Sequence, residues 1–246
     1  MLAVLQIEDR KDEFILALMR ENKRVCDENN ELYVHMARGN DHVPPYWSKV
    51  FELLKFMQEN SDVDLVMWLD SDAFFTSYDT MNPHELVLLH PNYTMWTSPD
   101  APPKYSSDFC AGSFLVRNDV RGRQLMSDWK QMYDPGQWRY DDADDRWITE
   151  AEFAGNAYEQ GTFTENMLNR SDVCRLPYYV FNEIDCDHPH YESVSIHLAG
   201  EYKKEYRQQC EKRLTIESFV EYQSICKYAA VITTIVCIIL LILNRT

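Results

Sequence analysis

The stretch Val66-Met-Trp-Leu-Asp-Ser-Asp-Ala-Phe-Phe75 sets two carboxylates, Asp70 and Asp72, into an otherwise apolar run. Residues 64–70 read as a buried strand, and charge at the end of such a strand needs a reason. The segments upstream supply a context. Residues 2–7 (LAVLQI) form a short apolar run expected to be a strand. Residues 11–29 place Phe14, Ile15, Leu18, Met19 and Val25 at helical spacing. Residues 31–37 read as a second strand. Residues 44–60 open on two prolines and then repeat apolar positions at Val50, Leu53, Leu54 and Met57. This alternation predicts an α/β fold whose mostly parallel sheet is flanked by helices. Open sheets of that kind bind ligands beyond the carboxyl ends of their strands, where Asp70 and Asp72 fall.

Downstream the pattern loosens. Residues 84–90 and 121–133 are expected to be helices, and 109–119 a strand with a close-packed Gly112. Residues 134–147 read as a polar loop whose acidic run is a solvated face. Another helix is expected over 159–168, and late strands over 174–182 and 193–200.

The chain has 246 residues, 45% hydrophobic and 26% charged, which is globular composition. Its net charge of −16 argues against a nucleic-acid partner, which needs a concentrated basic face. Seven scattered cysteines without a C-x-x-C pair predict mostly free thiols in a reducing compartment rather than a disulfide framework or a zinc site. The N-terminus lacks the pattern of a signal peptide. Residues 228–243 (YAAVITTIVCIILLIL) carry no charge. That run is shorter than the ~20 residues of a typical span, yet its all-round apolarity predicts a C-terminal hydrophobic helix acting as a single-pass tail anchor. The expected organisation is a catalytic domain over 1–210, a juxtamembrane segment over 211–227 and the anchor over 228–243, with the catalytic domain cytosolic. The sequons at Asn92 and Asn169 matter only for a lumenal domain.

Asp70 and Asp72 share one side if the strand continues through Ser71. If a turn begins at Ser71, one faces a ligand and the other supports it. Two close carboxylates repel unless a cation lies between them. Hard oxygen ligands suit Mg2+ or Mn2+, which complete their shells with phosphate oxygens. Paired-carboxylate glycoside hydrolysis fits less well, because it needs carboxyls ~5–9.5 Å apart across a sugar ring. A lone D-x-D is also common in plain surface turns.

Five blocks in order carry a resemblance: YWSKVFELLKFM, VMWLDSDAFFTS, CAGSFLVRND followed by LMSDW, EQGTF, and IHLAG. The chain resembles the metal-dependent GT-A glycosyltransferases. Within them it is most similar to the retaining galactosyl-, xylosyl- and mannosyltransferase group that includes plant xyloglucan xylosyltransferases. The resemblance implies a GT-A nucleotide-sugar-binding fold and transfer of a sugar, expected from a UDP-sugar, to a hydroxyl on a glycan or glycoprotein with retention. It implies that Asp70, Asp72 and His197 hold Mn2+ or Mg2+. Lys49 and Lys203 would meet the donor phosphates, and Gln6, Glu8, Ser71, Gly112 and Gly200 would complete the donor site. Gln160 would lie by the anomeric carbon. Two departures stand out: Cys110 replaces the family's asparagine, and Glu159 its aspartate. Asp108 is the expected replacement for the lost polar contact. An inverting enzyme would need a carboxylate base, for which Asp108, Glu159 and Glu165 are candidates. An inactive, membrane-tethered nucleotide-sugar-binding protein is the other alternative.

Overall fold

A computed structural model describes residues 1–10, 12–36, 43–76, 81–205, 207–210 and 212. The elements are β1 (Leu2–Ile7), α1 (Glu13–Glu28), β2 (Leu32–Met36), α2 (Pro45–Glu59), β3 (Leu65–Leu69) and β4 (Ala73–Phe75). They continue as α3 (Pro83–Leu89), β5 (Met95–Thr97), β6 (Ser113–Arg117), α4 (Val120–Gln131), β7 (Arg139–Asp141) and β8 (Arg146–Ile148). The last are α5 (Glu159–Asn166), β9 (Val173–Arg175), α6 (Tyr178–Phe181) and β10 (Ser195–His197), followed by helical residues 201–205 and 207–210.

Local chemistry sets the helix starts. Asp12 caps α1 by accepting the Phe14 N–H at 2.9 Å. Pro45 opens α2, where its missing N–H costs nothing. Asn82 and Glu85 close a reciprocal capping box on α3. Asp119 caps α4 through the Gly122 N–H at 2.8 Å.

The central sheet has the order β2-β1-β3-β6-β5-β9. Only β6 runs against its five companions, so the sheet is mostly parallel. Successive strand residues face opposite layers. Ala3, Leu5, Val66, Trp68, Phe114 and Val116 pack with Trp47 and Leu53 of α2 and Trp129 of α4. Leu2, Val4, Leu65, Met67 and Leu115 face the other way, with Val25, Trp96 and Phe181. Each fully buried Val, Leu, Met or Phe among them contributes roughly 1.5–3 kcal/mol.

Several expectations are corrected. The segment 134–147 is a turn of 3-10 helix (Pro135–Gln137) and a β7–β8 hairpin, because Tyr140 and Trp147 pair across its strands with ring centroids 5.5 Å apart. The segment 174–182 is strand only to Arg175; Pro177 then opens α6. The strand β10 joins β4 in a separate two-stranded sheet. Cys186 and Cys210 form a disulfide, against the expectation of free thiols, while Cys26, Cys110 and Cys174 are free and buried. Among the described residues no helix is long and apolar enough to cross a membrane. The expected anchor over 228–243 lies outside the described residues.

Candidate active site

The chain turns at Ser71 and Asp72, immediately after β3. Two backbone bonds fix that turn: the Asp70 N–H donates to the Gly112 carbonyl at 2.6 Å, and the Ala73 N–H to the Asp70 carbonyl at 2.8 Å. Gln6 braces it from below. Its amide donates to the Asp70 carbonyl at 3.0 Å and its carbonyl accepts from Asn22 at 3.0 Å and Tyr33 at 2.9 Å. Gln6 is fully buried, so the donor contact expected of it is corrected to a supporting role.

The register of β10 on β4 pairs His197 with Ala73 and brings the imidazole to the turn. One ligand atom from each of Asp70, Asp72 and His197 lies within 4.8 Å of the others. Two carboxylate oxygens and one imidazole nitrogen are a donor set that fits Mn2+ or Mg2+. His197 Nδ1 lies 3.0 Å from Asn182 Oδ1, which orients the ring and leaves Nε2 3.4 Å from Asp72 Oδ1. Burial alone would lower the His197 pKa, but the Asp72 hydrogen bond and charge raise it. Burial opposes ionisation of Asp72, yet His197 and Lys203 hold its carboxyl well below the usual range.

Cations surround the acids. Lys203 Nζ is 2.8 Å from Asp72 Oδ2. Lys49 Nζ is 2.8 Å from Asp70 Oδ1, 3.0 Å from the Ala111 carbonyl and 3.4 Å from Glu159 Oε1. Burial works against the Lys49 charge, but Asp70 and Glu159 outweigh it and raise the pKa. The ammonium therefore braces the acids. Glu159 is buried, which pushes its carboxyl pKa up against the pull of Lys49; its Oε2 has no hydrogen-bond partner among the described residues.

Two lobes share Arg10, Tyr46, Lys49, Asp70 and Asp72 in their walls. The inner lobe is a cavity of about 380 Å³ reaching Asp100, Cys110, Gly112, Glu159, Gln160, His197 and Gly200. The outer lobe, about 300 Å³, reaches Glu8, Ser71, Trp68 and Lys203. Gly200 sits at φ +52°, and a β-carbon there would meet Tyr105 Oη at 2.2 Å, so the position favours glycine. Gln160 is held at both ends: its Oε1 accepts the Ala111 N–H at 3.1 Å and its Nε2 lies 3.4 Å from Asp100 Oδ2. The helix that carries it is anchored at Ala157, whose carbonyl accepts both the Trp47 indole at 2.8 Å and the Trp138 indole at 2.9 Å.

Asp108 does not reach the cavity. Its side chain is 70% exposed and lies 3.7 Å from Arg175. Asp100 stands on the cavity wall instead, hydrogen-bonded to Cys110. Glu165 is exposed on α5. Sequence reasoning missed Asp100 and Arg10. Arg10 lies in both lobes, bonds Glu8 at 2.6 Å and donates to Ser71 Oγ at 3.0 Å. Neither residue sits in a recognisable motif; only the proximity of chain segments distant in sequence reveals them.

The fold recurs in known proteins. No family model matches the chain. Over 131 residues it is 25% identical to xyloglucan 6-xylosyltransferase 2 of Arabidopsis thaliana, covering 52% of this chain and 28% of that protein. The match to probable xyloglucan 6-xylosyltransferase 5 of the same plant is 27% over the same length. The matched region thus spans little more than a quarter of these relatives. A solved glycosyltransferase involved in glycosylation of the major capsid of PBCV-1 superposes with a TM-score of 0.63 at 14% identity, over 86% of this chain and 98% of that one. The fold is the GT-A glycosyltransferase fold.

Proposed function

We propose that the chain is a metal-dependent glycosyltransferase that moves a sugar from a nucleotide-sugar, in the first instance a UDP-sugar, to a hydroxyl acceptor on a glycan or glycoprotein. The convergence of Asp70, Asp72 and His197 within 4.8 Å, in a cleft at the carboxyl end of β3, carries this reading. The sequence similarity to xylosyltransferases supports it independently. A divalent cation held by these three residues would supply positive charge against the departing diphosphate.

The chain's own groups divide the remaining work. The outer lobe, with Glu8, Arg10 and Ser71, suits the nucleoside, and Arg10 and Lys203 suit the phosphates. The inner lobe takes the sugar against Gln160 and Asp100. The bond from Ala111 and the bond to Asp100 fix the Gln160 amide, so that it meets the sugar already oriented. We favour retention, with the acceptor proton passing to the leaving phosphate oxygen on the same face. Lys49 engages Glu159, and Asp108 and Glu165 lie outside the cavity, so none of the three supports the inverting alternative.

Membrane attachment through 228–243 remains part of this proposal, supported by the uncharged sequence alone. The Cys186–Cys210 pair supports an oxidising, lumenal setting for the catalytic domain over the cytosolic one first expected.

Titration calorimetry of UDP with and without Mn2+ tests the core of the reading. Wild type should bind UDP at least about tenfold more tightly with Mn2+, and Asp72→Asn should lose that gain. Equal binding with and without the metal in wild type would overturn the reading.

A further inference from the structure

One edge of the inner lobe is aromatic. Phe153 is 67% exposed and Tyr46 38% exposed, and both line the cavity beside Tyr158, Glu159 and Gln160. Phe153 meets Tyr46 edge-on at 5.8 Å and Tyr158 at 5.2 Å, and Trp138 backs the group 5.0 Å from Tyr158. A single exposed phenylalanine needs no explanation. This one is held in place by its backbone. The Gly155 N–H closes a turn onto the Glu152 carbonyl at 3.0 Å, and Ala154 takes φ +60°, an unfavourable conformation for a residue with a β-carbon. The turn is wedged against α5: a β-carbon on Gly161 would lie 2.1 Å from the Gly155 carbonyl oxygen. The same α5 carries Glu159 and Gln160 into the cavity, so the position of Phe153 is coupled to theirs.

We propose that Phe153 and Tyr46 form the acceptor platform of the cleft, a stacking surface for the apolar C–H face of a pyranose ring. The claim rests on the glycosyltransferase reading for its role and on geometry for its existence. Phosphate and metal chemistry centres on Arg10, Lys203 and the three metal-ligand candidates; Phe153 lines the inner lobe alone, Lys203 and Glu8 line the outer one, and Tyr46 borders both. An aromatic rim has no charge for a diphosphate but offers flat apolar area to a sugar whose hydroxyls point outward. A ring stacked there brings a hydroxyl towards Gln160 and the sugar site, the order that transfer requires.

Saturation-transfer NMR of the full chain with methyl β-glucopyranoside and methyl β-xylopyranoside tests the platform without turnover. Wild type should saturate the ring C–H protons of these probes. Phe153→Ala should cut the effect at least fivefold, Tyr46→Ala should weaken it, and Phe153→Trp should keep it. Phe153 is exposed, so its alanine variant should retain the thermal midpoint. Mn2+-dependent UDP binding should be unchanged in the two Phe153 variants. No saturation in wild type, or equal saturation in Phe153→Ala, overturns the proposal. So does a tenfold loss of UDP affinity in Phe153→Ala, which would assign the rim to the nucleobase. If wild type ignores UDP and Mn2+ but saturates the glycosides through Phe153, the platform stands and the donor reading falls.

Discussion

The His197 imidazole rests directly on the α-carbon of Gly112: a β-carbon at that position would lie 2.0 Å from His197 Cε1 and 2.5 Å from Nε2. Glycine is therefore a condition for the histidine's reach. Gly112→Ala should push the ring off Asp72 and cost at least about tenfold in Mn2+-dependent UDP affinity. Calorimetry measures this, and a far-ultraviolet dichroism spectrum identical to wild type would place the loss at the site. Unchanged affinity would show that His197 is not needed for the metal.

Asp100 faces the sugar lobe, hydrogen-bonded to Cys110 and close to Gln160. Burial raises its pKa, although Cys110 and His197 pull the other way. Asp100→Asn keeps the shape and removes the charge. The expected outcome is a fall in transfer rate of about a hundredfold, or a changed preference among donor sugars, with UDP affinity intact. A panel of nucleotide-sugars assayed by donor hydrolysis reads both. An unaltered panel would return Asp100 to a structural role.

Glu8 gives the clearest pH prediction. Burial would raise its carboxyl pKa, but hydrogen bonds from Arg10 and Ser71 dominate and lower it from the usual 4.5 to about 2. A lowered folded-state pKa contributes stability that is fully present above 4.5 and lost as pH falls towards about 2. Glu8→Gln should therefore be less stable than wild type at neutral pH, and the gap should close over that window. Urea melts at several pH values measure it; a gap independent of pH would contradict the assignment.

Asn92 and Asn169 head sequons and both are exposed. If the domain is lumenal, as the disulfide suggests, expression in a eukaryotic secretory host should yield a glycosidase-sensitive mass shift. Asn92→Gln together with Asn169→Gln should abolish the shift. No shift in wild type, with both sites accessible, would favour the cytosolic side.

The alternating front half was legible because its apolar periodicity is strong, and each of the five expected elements exists within a residue or two. The metal-ligand candidates were legible through the motif at Asp70 and the block at His197. Gln6 misled because a polar residue at a strand end reads as ligand-facing, whereas here its buried amide is committed to Asp70, Asn22 and Tyr33. Asp108 misled because it lies two residues before Cys110, while its side chain is exposed towards Arg175 and Asp100 reaches Cys110 from another segment. The β7–β8 hairpin was hidden by charge: its acidic tip resembles a loop, and the Tyr140–Trp147 pair that closes it is too sparse a pattern.

A carbonyl oxygen has two acceptor lone pairs, and that of Ala157 commits both to indoles. Losing one tryptophan leaves the other still tethering the start of α5, whereas losing both releases it. Trp47 and Trp138 are thus a redundant pair whose effects should compound rather than add. The redundancy covers the tether alone: both indoles also fill the core, so losing either one carries a packing cost of its own.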